Sequence, residues 1–156
     1  MRLRIHHRCG HIATANITGP GATREDRATW LATQVCPYCA RQQRVAQYDA
    51  ANQAATARAH AAGWPPLTGT PKQTAWAETI RAGALDAMSE RLHNGLPACA
   101  AAQALFLWSA AALRETRAEW WIDHQAGILR AINTYTLTAH ERSAINSITS
   151  TAGGET

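Results

Sequence analysis

Three of the four cysteines lie in the first quarter of the chain, and the residues around them have the spacing of metal ligands. Cys36-Pro37-Tyr38-Cys39 is a C-x-x-C pair, and a tight turn at that spacing points two thiolates at one ion while backbone amides face the sulfurs. Cys9 and His11, separated by Gly10, form a second pair about two dozen residues earlier. Three thiolates and one imidazole make a soft tetrahedral set suited to Zn²⁺, with no coordination position left open for chemistry. Such a site is structural. The C-x-H spacing is tighter than the usual pair, and His6 and His7 lie close enough in sequence to take the place of His11.

Other uses of the cysteines fit less well. A thioredoxin-like C-x-x-C follows a buried strand within a βαβ pattern, whereas the residues before Cys36, Trp30 to Val35, are short and helical in flavour. A disulfide scaffold belongs to an exported chain, and the arginine-bearing N-terminus shows no apolar core of a signal peptide. The expectation is reduced cysteines in the cytoplasm of a bacterial host.

The elements that must carry the ligands are small. Leu3 and Ile5 alternate with Arg2, Arg4 and His6, which reads as a half-buried strand. Residues 12–17 pair with it as a hairpin across the Cys9-Gly10-His11 knuckle, and 22–31 read as a helix with Trp30 and Leu31 inward. About 45 residues do not supply a core of their own. Metal binding, worth on the order of 10 kcal/mol in such modules, stabilises them instead.

The remaining chain reads as helix. Expected is a mainly α protein: a small N-terminal zinc ribbon, a short β-hairpin plus helix, packed on or linked to a helical body of four to five helices. The divisions are 1–45 for the ribbon module, 46–66 for a helical connector, 67–150 for the helical domain and 151–156 for a flexible tail. The connector, rich in Ala, Gln and Arg, ends at Gly63-Trp64-Pro65-Pro66, where proline stops a helix. Thr70-Pro71-Lys72-Gln73 spells a capping box with proline at the first helical position. The helix it opens has Trp76, Ile80, Ala84, Ala87 and Met88 as its inward stripe. A third helix from Ala98 buries Ala101, Leu105, Trp108 and Ala112, with Phe106, Ala110 and Leu113 on an adjoining face and Cys99 as a buried small hydrophobe. From Ala118 a 3.6 period runs through Trp121, Ile128 and Ile132, and Thr138 to Glu141 cap a last short helix. No run resembles a transmembrane span, because the longest apolar stretch is broken by Gln103 and Ser109.

Two stretches, LTGTPKQTAWAETIR and AEWWID, downstream of a CGH and CPYC ribbon, resemble a little-characterised group of small proteins encoded by phages and other mobile elements. The likeness covers most of the chain in the same order. Where the group carries Asn-Arg after Trp-Trp-Ile-Asp, this chain has His124-Gln125. The resemblance implies a viral or mobile-element setting, in which small proteins regulate host machinery or block host defence.

Catalytic signatures are absent from this reading. Gly63 and Gly69 do not make a phosphate loop with Lys72, since the lysine does not follow the second glycine. The acids Glu78, Asp86, Glu90, Glu115, Glu119 and Asp123 read as solvated helix faces among arginines. The expected activity is therefore binding. The net charge of +4, from fourteen Arg and Lys72 against eleven acids, permits contact with nucleic acid. Arg2, Arg4, Arg8, Arg24, Arg27, Arg41 and Arg44, together with Lys72 at a helix N-terminus, are the candidate phosphate contacts. The partner is then nucleic acid or a host nucleoprotein complex. The alternative is an inhibitor of a host defence system, anti-CRISPR-like, acting by protein contact through Arg117, Trp120 and His124, where an exposed indole beside an arginine would form a hot spot.

Overall fold

A computed structural model describes residues 1–152. Among them the chain forms a two-stranded hairpin and seven α-helices, a mainly α protein with a small N-terminal ribbon. It divides into two units, residues 1–50 and 51–156. No helix among the described residues is long and apolar enough to cross a membrane.

In the first unit, β1 (Arg2–His6) pairs antiparallel with β2 (Ile12–Asn16), Leu3 opposite Ala15 and Ile5 opposite Ala13. The alternation read from the sequence holds: Ile5 is buried, while Arg2, Arg4 and His6 face solvent. α1 (Gly21–Thr33) packs on β1, and the Arg8 N–H donates to the Ala32 carbonyl at 2.9 Å. Trp30 does not point inward as expected. It is 49% exposed, with the Arg27 guanidinium 4.2 Å from its ring centre, and α1 buries no residue completely. The hairpin offers too little apolar surface to cover an indole.

α2 (Pro37–Ala61) is one continuous helix crossing the division between the units. The stretch expected as a connector is thus the second half of α2 followed by a loop. Gly63 turns the chain out of the helix in the left-handed region, φ +65°, where only glycine is free of strain.

The second unit is built on α3 (Pro71–Gly95), α4 (Ala98–Leu113) and α5 (Ala118–Asp123). The Thr70 hydroxyl accepts from the Gln73 N–H and the Gln73 side chain accepts from the Thr70 N–H, so the capping box forms as spelled. The loop before it is pinned to the residues ahead of α5. Thr68 N–H donates to Thr116 O at 2.7 Å and Ala118 N–H to Thr68 O at 2.9 Å. Gly69 stands so near that a Cβ there would lie 3.1 Å from the Ala118 Cβ. The two stretches singled out by resemblance therefore pack against each other.

This close approach rotates α3 relative to the expected stripe. Ala77, Arg81, Ala84, Leu85 and Met88 face inward, while Ala87 and Trp76, the latter 43% exposed, face out. The small side chains let α4 and α5 come near, a face an indole would hold apart. α4 is buried along Ala101, Ala104, Trp108, Ala111 and Ala112. Phe106 is exposed, and so is Cys99 near the start of the helix, both against expectation. Trp108 donates to Asn133 Oδ1 at 2.7 Å and Trp121 to the Glu115 carbonyl at 3.1 Å, so both buried indoles have partners.

The long period expected beyond Ala118 is broken. After α5 come a 3₁₀ turn (Gln125–Gly127), α6 (Ile128–Ala131) and a π-helical turn (Ile132–Thr136). α7 (Ala139–Ala152) then starts at a second capping box, Thr138 with Glu141. Residues 151 and 152 of the expected tail are helical, and its last four lie outside the described residues. Arg114 donates to both Glu141 oxygens at 2.8 Å and, with Thr138, holds that carboxyl at about 2.

Trp108→Ala should destabilise the protein by about 3–5 kcal/mol in denaturant unfolding, whereas Trp76→Ala should stay within about 0.5 kcal/mol. Equal costs would contradict the register of α3. Because Glu141 is depressed from 4.5 to about 2 in the folded chain, its contribution is complete above pH 4.5 and lost as pH falls through about 2. Unfolding midpoints of Glu141→Gln should fall less steeply across that window than those of the parent, and equal slopes would count against the ion pair.

Candidate metal centre

The knuckle between β1 and β2 is set by its backbone. Gly10 N–H donates to His7 O at 2.9 Å, His7 N–H donates to His11 O at 3.0 Å, and Gly10 takes φ +82°. The positive φ is open to glycine, and it folds Cys9 and His11 toward the same side. The second arm is the start of α2. The Cys36 carbonyl accepts from Ala40 N–H at 2.9 Å, so Cys36 occupies the cap and Pro37 the first helical position. Cys39 N–H points at Cys36 Sγ, 3.4 Å away, as a serine-capped helix would point at its hydroxyl. Cys36 N–H in turn points at Cys9 Sγ, also at 3.4 Å. Both sulfurs thus receive amides, and the positive end of a 25-residue helix lies beside them.

The ligand atoms of Cys9, His11, Cys36 and Cys39 lie within 4.8 Å of one another, with Cys39 Sγ and His11 Nδ1 3.2 Å apart. A tetrahedral first-row ion with bonds of about 2.0–2.3 Å holds its ligand atoms roughly 3.3–3.8 Å apart. The four residues fit a metal ion of that kind. Cys36 is buried, Cys9 and Cys39 are half-buried, and His11 sits at the rim with its ring edge-on to Tyr38.

The electrostatics agree. The Cys36 backbone N–H, then groups of His11, draw the Cys9 thiol down to about 6. Burial first, then the neighbouring Cys36 and Cys9 sulfurs, push Cys39 up to about 11. Sulfurs this close cannot all carry charge near neutrality unless a cation shares the site, and a bound ion reverses that penalty. Of the two histidines that stood as substitutes, His7 is buried with Nδ1 3.1 Å from the Gln34 carbonyl, and His6 lies exposed on β1; neither joins the cluster.

The other candidate residues separate by unit. Arg2, Arg4, Arg8, Arg27, Arg41 and Arg44 are exposed, Arg24 is half-buried, and among the described residues none of the seven is in a salt bridge. Residues 1–50 carry these seven arginines against Glu25, Asp26 and Asp49; the rest of the chain balances eight bases with eight acids. The whole net charge of +4 therefore belongs to the first unit. Lys72 is exposed in the first turn of α3, in the second unit.

Trp120 is not the exposed indole that the protein-contact alternative requires. It is 9% exposed, edge-on to Trp121 and covered by the His124 ring, whose centre stacks 4.6 Å away at 28°. His124 is fixed there by its Nδ1, 2.8 Å from the Trp120 carbonyl. Arg117 is exposed but turned onto Glu115, with contacts of 3.0 and 2.8 Å. The short α5, ending at Asp123, lets the following turn fold His124 back over the indole.

Glu78, expected on a solvated face, is instead buried with Arg81, which is 0% exposed and donates to both carboxylate oxygens and to the Pro65 carbonyl. Its guanidinium carbon lies 5.1 Å from the Trp64 ring centre. Burial pushes the Glu78 carboxyl above the usual range despite the arginine. The i,i+3 spacing was visible in the sequence.

No protein-family model, curated protein or solved structure matches the chain.

Purified protein should carry one metal ion per chain by elemental analysis, and Cys36→Ser should lose both the ion and the order of the hairpin while most helical circular dichroism remains. A fully folded first unit in metal-stripped protein would overturn the site.

Proposed function

We propose that this is a non-catalytic, zinc-containing binding protein of phage or mobile-element type that acts on nucleic acid or a nucleoprotein complex in a regulatory role. Zn²⁺ is the ion that three thiolates and one imidazole favour, and with all four positions supplied by the chain its part is structural. The observation that carries the reading is the division of charge. Among the described residues none of the first unit's seven arginines is in a salt bridge and they stand against three acids, whereas in the second unit Arg58, Arg81, Arg114 and Arg117 are each paired with an acid, Arg91, Arg130 and Arg142 are not, and eight bases are balanced by eight acids. Paired arginines serve the fold. Exposed unpaired ones on a small ribbon suit a polyanion, because each phosphate contact releases condensed counterions.

The reading as an inhibitor of host defence by protein contact has less support, since the indole it relied on is covered by His124.

The test is fluorescence anisotropy with mixed-sequence nucleic acid over a salt series. The affinity should fall steeply with salt, and the double variant Arg41→Gln, Arg44→Gln should reduce the slope of log K against log salt by about 1 to 2. Absence of binding, or a salt-independent affinity, would overturn the proposal.

A further inference from the structure

α2 leaves the metal centre with an uncovered surface. Every residue from 41 to 50 is exposed, and yet this stretch and the turn before it contain Tyr38, Val45 and Tyr48. At 100° per residue these three and Arg41 fall on one side of the helix, with Arg44 beside them, over about 15 Å. Tyr48 is 68% exposed. On α1 of the same unit, Trp30 presents its ring with the Arg27 guanidinium 4.2 Å from its centre. On α1 an arginine sits over an exposed ring and on α2 arginines share a side with exposed tyrosines, and among the described residues none of these arginines has a carboxylate partner.

Arginine alone would satisfy phosphates. Aromatic rings left in water cost apolar hydration that an apolar cover relieves, and the positive charge of this unit favours an anionic occupant that also carries flat apolar faces. A duplex hides its base faces within the stack, whereas a single strand offers them together with its phosphates. We infer that the first unit binds single-stranded nucleic acid, with Trp30 and the Tyr38–Tyr48 side of α2 as base-stacking surfaces and Arg27, Arg41 and Arg44 on the backbone. This rests on the nucleic-acid reading above and narrows it to unpaired bases.

The experiment uses the full metal-loaded chain with labelled single strands of DNA and RNA and with duplexes of the same sequence, about 20 nucleotides long. Either strand chemistry should bind roughly tenfold or more tightly than its duplex. Trp30→Ala and Tyr48→Ala should each weaken single-strand binding by about fivefold or more and leave duplex binding unchanged, while Trp30→Phe should keep most of the affinity. These side chains are exposed, so the folded state survives their loss, and unchanged circular dichroism verifies it.

Equal binding to strand and duplex, untouched by the alanine variants but weakened by Arg41→Gln, would overturn the stacking inference and leave the broader reading standing. Binding to neither would remove both. A sedimentation shift from dimer to monomer on Tyr48→Ala, without loss of single-strand affinity, would assign the α2 surface to a second copy of the chain and also overturn the inference.

Discussion

The constraint on which the first unit depends is the convergence of four side chains from the two ends of a 28-residue separation, His11 on the hairpin knuckle and Cys39 in the first turn of α2. In residues 1–50 only Ile5, His7, Ile17 and Cys36 are buried, far too little apolar surface to offset the ordering of fifty residues. An ion held by the four ligand residues would take the part a core plays elsewhere. The cluster joins the knuckle that follows β1 to the start of α2, two elements that carry exposed arginines.

The second unit has an apolar core of its own. Its lock is a backbone bridge, Thr68 between Thr116 and Ala118, beside a glycine that admits the Ala118 methyl. Around it, small residues on α3 and α4 allow the helices to approach, and Trp108 and Trp121 fill the space between them. Arg81 fastens the Trp64-Pro65-Pro66 loop from beneath by reaching a carbonyl that no nearby backbone amide serves. A buried ion pair of this kind stabilises little by itself, and its loss on one side only would leave a charge stranded.

What could be read from the sequence was whatever short-range chemistry decides. The two local ligand pairs, the alternation in β1, the glycine–proline break after α2 and both capping boxes depend on neighbours within a few positions, and all appear as spelled. Orientation was harder. Alanine is compatible with either side of a helix, so nothing in the α3 pattern distinguished Trp76 from Ala77 as the inward residue; the approach of Gly69 to Ala118, a contact across 49 positions, decided it. The burial of Trp120 is hard to read for a similar reason, since its cover, His124, arrives only because α5 stops and turns. Trp30 was expected inside because an indole is usually an anchor, and the thin hairpin had no room for one.

In the proposed reading three sulfurs and one imidazole bind one zinc ion, which holds the arginine-bearing unit together. X-ray absorption at the zinc edge tests it most directly. The account predicts a four-coordinate shell of three sulfurs at about 2.3 Å and one nitrogen at about 2.0 Å. A shell of four sulfurs, a shell dominated by oxygen, or an edge without bound zinc would contradict it.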